Sequence, residues 1–140
     1  MTSRKPDFEP LAFLYARIAL SAAFLSGIAS RFGLWGKGVG YGNFANFMKY
    51  TAQVNAFMPA ATIPFLAWAA TAAEFVLGIA LLLPLGPARM RWIGLASAGL
   101  LAVFGTAMAL SFGPKETLDY SVFSASAAAL LLALRRPREA

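Results

Sequence analysis

The 140-residue sequence contains no cysteine and no histidine. The first absence excludes a disulfide, a thiol redox couple or an iron–sulfur cluster held by this chain. The second removes imidazole ligation of haem, copper or zinc, and the side chain that most often acts as a general base near neutral pH. Neither haem, iron–sulfur nor zinc is therefore expected, no metal site is assigned, and the chain offers little for autonomous catalysis. Charge is also scarce. Charged residues make up 13% of the chain and hydrophobic ones 59%, whereas a soluble domain carries roughly 25% charged residues. The mean hydropathy is +0.65.

The few charges gather at the two ends. Arg4, Lys5, Asp7 and Glu9 precede the first apolar run, and Arg135, Arg136, Arg138 and Glu139 follow the last. Long uncharged runs lie between, the pattern of a single integral membrane domain over residues 1–140 with the lipid bilayer as its first partner. The net charge of +6 does not point to nucleic acid, because the basic residues flank apolar runs and form no patch on a soluble face.

Four segments have the length and polarity of a bilayer span, about 17–25 residues: 11–30, 63–83, 92–112 and 118–134. The first is read as a span rather than a signal peptide, since its apolar run is too long and Arg17 interrupts it. The second and third are joined by "PLGPARMR", a tight turn between antiparallel helices. Residues 31–42 hold five glycines in "RFGLWGKGVGYG" and read as a loop. Phe44, Phe47, Met48, Val54, Phe57 and Met58 then recur at helical spacing, with Asn46, Lys49, Tyr50 and Gln53 on the other side. This predicts an amphipathic interfacial helix over 44–58, capped by Asn43 and stopped by Pro59. The expected fold is all-α: an antiparallel four-helix transmembrane bundle with this interfacial helix between helices one and two.

Lys and Arg set the expected orientation. With a cytoplasmic N-terminus, the inner flanks hold Arg4, Lys5, Arg89, Arg91, Arg135, Arg136 and Arg138, and the outer ones Arg31, Lys37, Lys49 and Lys115. The excess places both termini in the cytoplasm. The interfacial helix and "GPKETLDY" then lie outside, where Thr117 or Asp119 can cap the fourth helix.

Glu74 stands alone in the apolar run "TAAEFVLGIALLLPL". A charged residue at the bilayer centre costs about 2.5–3.5 kcal/mol and normally has a partner. Arg17 lies about 9 Å along helix one from the cytoplasmic side and Glu74 about 14 Å along helix two, so the two are expected to form an intramembrane ion pair, with Ser21 one turn beyond. Ala67, Ala70, Thr71 and Gly78 on the Glu74 face permit close approach. Such a pair is either an assembly clamp or a ligand-binding or proton-linked site. A second candidate pocket lies at the outer end, where Trp68, Met108 and Tyr120 fall at similar depth with Asp119 at the rim; the aromatic residues there also suit an interfacial belt. Ser121, Ser124, Ser126 and the alanines of helix four suit close packing.

"ARIALSAAFLSGIASRFG", "AEFVLGIALLLPLG" and "LDYSVFSASAAALLL", in that order and spacing, resemble the DoxX family of small bacterial four-helix membrane proteins. The similarity runs from about Leu11 to Leu134, with Arg17 matching the family's Arg in helix one and Glu74 its Glu in helix two. "NFMKYTAQVNAFMP" resembles the loop of one subgroup. The resemblance implies a multi-pass protein of the bacterial inner membrane, an accessory subunit of a quinone-linked redox or oxidative-stress complex. In such a complex the bundle binds a quinone or anchors a partner, a redox protein or a second copy of the chain. The alternative is a structural or small-solute transport protein with no redox role.

Overall fold

A computed structural model describes residues 8–135. The flanking charges at Arg4, Lys5, Asp7, Arg136, Arg138 and Glu139 lie outside the described residues. Helices are α1 (Glu9–Arg31), α2 (Phe44–Val54), α3 (Ile63–Leu82), preceded by a 3-10 turn at Ala60–Thr62, α4 (Pro87–Phe112), α5 (Pro114–Asp119) and α6 (Val122–Ala133). No strand occurs among the described residues.

Three helical stretches are long and apolar enough to cross a membrane: Glu9–Arg31, Ala60–Leu82 and Pro87–Phe112. Their large side chains lie open on the outer faces, with Phe65 73%, Val76 62%, Val103 65% and Leu110 70% exposed. A surface of this kind is unfavourable in water and favourable against hydrocarbon.

The fourth expected span is divided. Ser121 takes a left-handed conformation, φ 55°, and separates α5 from α6. The twelve residues of α6 reach about 18 Å, short of the roughly 30 Å hydrocarbon thickness. Neither expected cap operates there. Thr117 is fully buried with its hydroxyl 3.5 Å from the Gly113 carbonyl, Asp119 pairs with Lys115, and α6 has no side-chain cap.

Contacts at successive heights show that α1 and α3 run antiparallel. Ser21 Oγ donates to the Gly78 carbonyl at 2.7 Å, and nearer the end of α1 Arg31 Nη1 donates to Thr71 Oγ1 at 3.0 Å. The buried face of α3, Ile63, Ala67, Thr71, Glu74, Gly78 and Leu81, keeps the three- and four-residue spacing of one helical stripe. α4 and α6 are antiparallel as well. Ser126 Oγ donates to the Ala98 carbonyl at 2.8 Å, and at Gly94 the helices approach so closely that a Cβ would lie 2.9 Å from both the Ala129 carbonyl oxygen and the Ala133 nitrogen. Small residues supply this approach, as expected of Ser126 and the α6 alanines, whereas Ser121 and Ser124 lie exposed. α1 also touches α6, and α3 touches α4 more sparsely than α1 touches α3. Leu20, Phe24, Leu81, Met90, Ala98, Ala129 and Leu132 form the shared core.

The base of the molecule carries the start of α1 and the end of α6, where Arg135 Nε lies 3.6 Å from Glu9 Oε1. The opposite end is crossed by α2. Asn43 caps it as expected, accepting from Asn46 N at 2.8 Å, but the helix stops at Val54, short of Met58. Its inward face is Phe47, Thr51 and Val54, with Tyr50 beside them, while Phe57 and Met58 lie exposed. Tyr50 therefore belongs to the packed side, not the outer one. Phe44 stacks on Trp68 of α3 at 4.2 Å, and Ser111 of α4 donates to the Val54 carbonyl at 2.6 Å. These two ties stretch α2 across the gap between α3 and α4.

Candidate functional site: a cavity beneath α2

Glu74 is answered by Arg31. Nη2 donates to Glu74 Oε1 at 2.6 Å and Nη1 to Thr71 Oγ1 at 3.0 Å, and both charged side chains are buried. Thr71 in turn donates to the Ala67 carbonyl at 2.8 Å. Gly27 makes room on α1: a Cβ there would lie 3.1 Å from Glu74 Oε2. The guanidinium carbon of Arg31 sits 3.8 Å from the centre of the Phe47 ring, so α2 covers the pair with an aromatic face that attracts the cation.

The expected Arg17–Glu74 pair does not form. Arg17 instead donates through Nε to the Leu81 carbonyl at 2.9 Å and through Nη2 to the Leu83 carbonyl at 2.6 Å. These are carbonyls at the C-terminal end of α3, which the helix itself leaves unsatisfied, and a cation there also complements the helix dipole. Side-chain direction explains the difference. Helical side chains lean toward their own N-terminus. In an antiparallel pair, Arg17 leans toward the base and Glu74 away from it, so they diverge, whereas Arg31 and Glu74 lean toward each other. Depth along the axis does not capture this. The usable signal was a basic residue in the last turn of a helix, masked by the glycine run that begins at Gly33.

The pair forms one wall of a cavity of about 520 Å³ between α2, α3 and α4. Leu66, Ala70 and Ala73 of α3 and Leu101, Phe104 and Met108 of α4 give it an apolar lining, and Tyr41, Tyr50, Thr51 and Asn55 give it a polar end. Tyr41 is carried there by the glycine loop. Its backbone nitrogen donates to Ser30 Oγ at 2.8 Å. At Gly40, φ 62°, a side chain would collide with that same Ser30 hydroxyl, so the loop closes on the end of α1 only with glycine there. The Tyr41 ring packs against Tyr50 at 5.3 Å. Burial pushes the Tyr41 phenol well above the usual tyrosine range, with Tyr50 adding to the effect and Arg31 opposing it. Burial also raises Tyr50, helped by Tyr120 and Glu116. Both remain neutral hydrogen-bond donors across the physiological range.

Of the four residues expected to line an outer pocket, Met108 lines this cavity. Trp68 is 54% exposed and serves as the stacking partner of Phe44. Tyr120 is 71% exposed, and Asp119 is engaged with Lys115 at 2.6 Å. The sequence suggests the buried carboxylate and an outer pocket as two separate places, whereas the structure brings Glu74 and the space beneath α2 to one. Arg31, Tyr41 and Tyr50 are site residues that the sequence did not announce, and Thr71, expected on the Glu74 face for close approach, is there a hydrogen-bond partner of Arg31. No group of three or more potential metal-ligating residues occurs among the described residues.

No family model, no curated protein and no solved structure matches this chain.

Proposed function

We propose that this chain is a multi-pass bacterial inner-membrane protein of DoxX type that binds a neutral, lipid-soluble carbonyl compound, a quinone, beneath α2. In this reading it serves as an accessory subunit of a redox or oxidative-stress complex. The observation that carries the proposal is the cavity itself, with apolar walls leading to a polar end that holds neutral phenols and an internally neutralised ion pair. Pockets for lipid-soluble ligands share this character, with an apolar lining and a few placed polar groups. A net-neutral polar end favours a neutral headgroup over a carboxylate or phosphate, whose charge would stay uncompensated. Sparse packing between α3 and α4 supports entry from the lipid side. The absence of Cys and His leaves electron transfer beyond the quinone to a partner protein.

The membrane arrangement belongs to the same proposal. α1, α3 and α4 cross the bilayer, α6 completes a four-helix bundle with α5 at the surface, and both termini are cytoplasmic. Arg31 now counts as a buried residue rather than an outer flanking charge, which sharpens the asymmetry of Lys and Arg.

A structural or transport role is favoured by one observation. Arg31 and Glu74 neutralise each other with no ligand present, as a clamp holding α1 to α3 would. Purification in mild detergent from the native host separates the two readings. Recovery of a quinone and a redox protein with the chain supports the first; a preparation with neither, and no response to added quinone, supports the second.

A further inference from the structure

At the base, far from the cavity beneath α2, a second hollow of about 350 Å³ is lined by Pro10 and Arg17 of α1, Leu85, Pro87 and Met90 at the α3–α4 turn, and Arg135 after α6. We infer that it holds the headgroup of an anionic phospholipid, with Arg17 and Arg135 taking the phosphate. Its lining contains two guanidinium groups; Glu9, whose Oε1 lies 3.6 Å from Arg135 Nε, is not part of the lining. Arg17 is oriented by its bonds to the Leu81 and Leu83 carbonyls, which engage Nε and Nη2 and leave further N–H donors of the planar fork for an anion. Arg135 lies over Phe13, its guanidinium carbon 4.6 Å from the ring centre, and is half-open at 42% exposure. The start of α4 at Pro87 adds the partial positive charge of a helix N-terminus. The apolar members, Pro10, Leu85, Pro87 and Met90, suit the glycerol and upper acyl region beside a headgroup, and basic hollows between membrane helices recognise anionic lipids in this way. The inference holds whatever occupies the upper cavity.

The test is lipid binding to the purified full chain in detergent, read by native mass spectrometry and by the melting temperature. Phosphatidylglycerol should be retained and raise the melting temperature, while phosphatidylcholine and inorganic phosphate at the same concentration should not. Arg135→Gln should weaken phosphatidylglycerol retention roughly five-fold, the expectation for one surface cation, with little change in the lipid-free melting temperature. Arg91→Gln, an exposed α4 arginine that does not line the hollow, should leave retention at the parent level. Equal effects of the two lipids, an equal effect of free phosphate, or equal losses in Arg91→Gln and Arg135→Gln would each overturn the inference.

Discussion

Arg31 Nη2 lies 2.6 Å from Glu74 Oε1, and the two side chains are only 5% and 6% exposed. The pair ties the last turn of α1 to the middle of α3 with both charges almost wholly buried. Removing one partner leaves the other charge buried and uncompensated, at a cost on the order of 3–5 kcal/mol.

Glu74→Gln and Arg31→Gln should therefore each lower the detergent unfolding temperature strongly. The double variant should lose less than the sum of the two, because contacting residues are not additive. Arg17→Gln combined with Glu74→Gln should instead be additive within experimental error. Thermal unfolding of these variants and of Arg17→Gln alone checks this, and strict additivity for Arg31 and Glu74 would refute their coupling.

At Gly94 the backbones of α4 and α6 approach closely. A Cβ there meets backbone atoms of α6 at 2.9 Å, and backbone cannot rotate away. Gly94→Ala should cost about 1–3 kcal/mol in reversible unfolding, while Gly99→Ala, where a Cβ meets nothing within 4 Å, should be neutral or slightly stabilising. Equal effects would mean that α6 is free to shift.

The phenols of Tyr41 and Tyr50 ionise above the ordinary range. Because the folded state holds these protons more tightly than the unfolded one, the stabilisation is complete below the unfolded value of about 10. It declines as pH rises through the folded values. Alkaline absorbance titration should show late-ionising phenols in the folded chain, fewer of them in Tyr41→Phe, and none after denaturation. Simultaneous titration of all four tyrosines at the ordinary value would contradict the packing of Tyr41 and Tyr50.

Much of this architecture was legible in the chain. The three long helices follow from apolar runs of bilayer-spanning length, and Asn43 announces the start of α2. The break at Ser121 was not legible, because the composition on either side of it suits a helix. The partner of Glu74 was missed for a geometric reason: axial depth favours Arg17, but the direction of side chains on antiparallel helices favours Arg31. The cavity depended on tertiary ties, Phe44 to Trp68 and Ser111 to Val54, that bring Tyr50 inward from a face whose neighbours are polar. No local periodicity reports such ties.

Orientation is open to a clean test, since no native cysteine competes. Cysteines introduced singly at Lys37 and Arg89 should react differently with an impermeant thiol reagent in intact cells: position 37 labelled, position 89 protected. The reverse pattern would invert the topology.

The most direct measurement of the central claim is a binding titration of the purified chain with a short-tailed quinone, followed by quenching of tryptophan fluorescence. Ala70 lines the cavity on α3, away from the ion pair's own hydrogen bonds, so Ala70→Phe fills the ligand's space and leaves the clamp in place. The account predicts saturable quenching in the parent and at least a ten-fold weaker affinity in a folded Ala70→Phe variant. Saturable binding that is unchanged in Ala70→Phe, or no saturable binding in the parent, would contradict it.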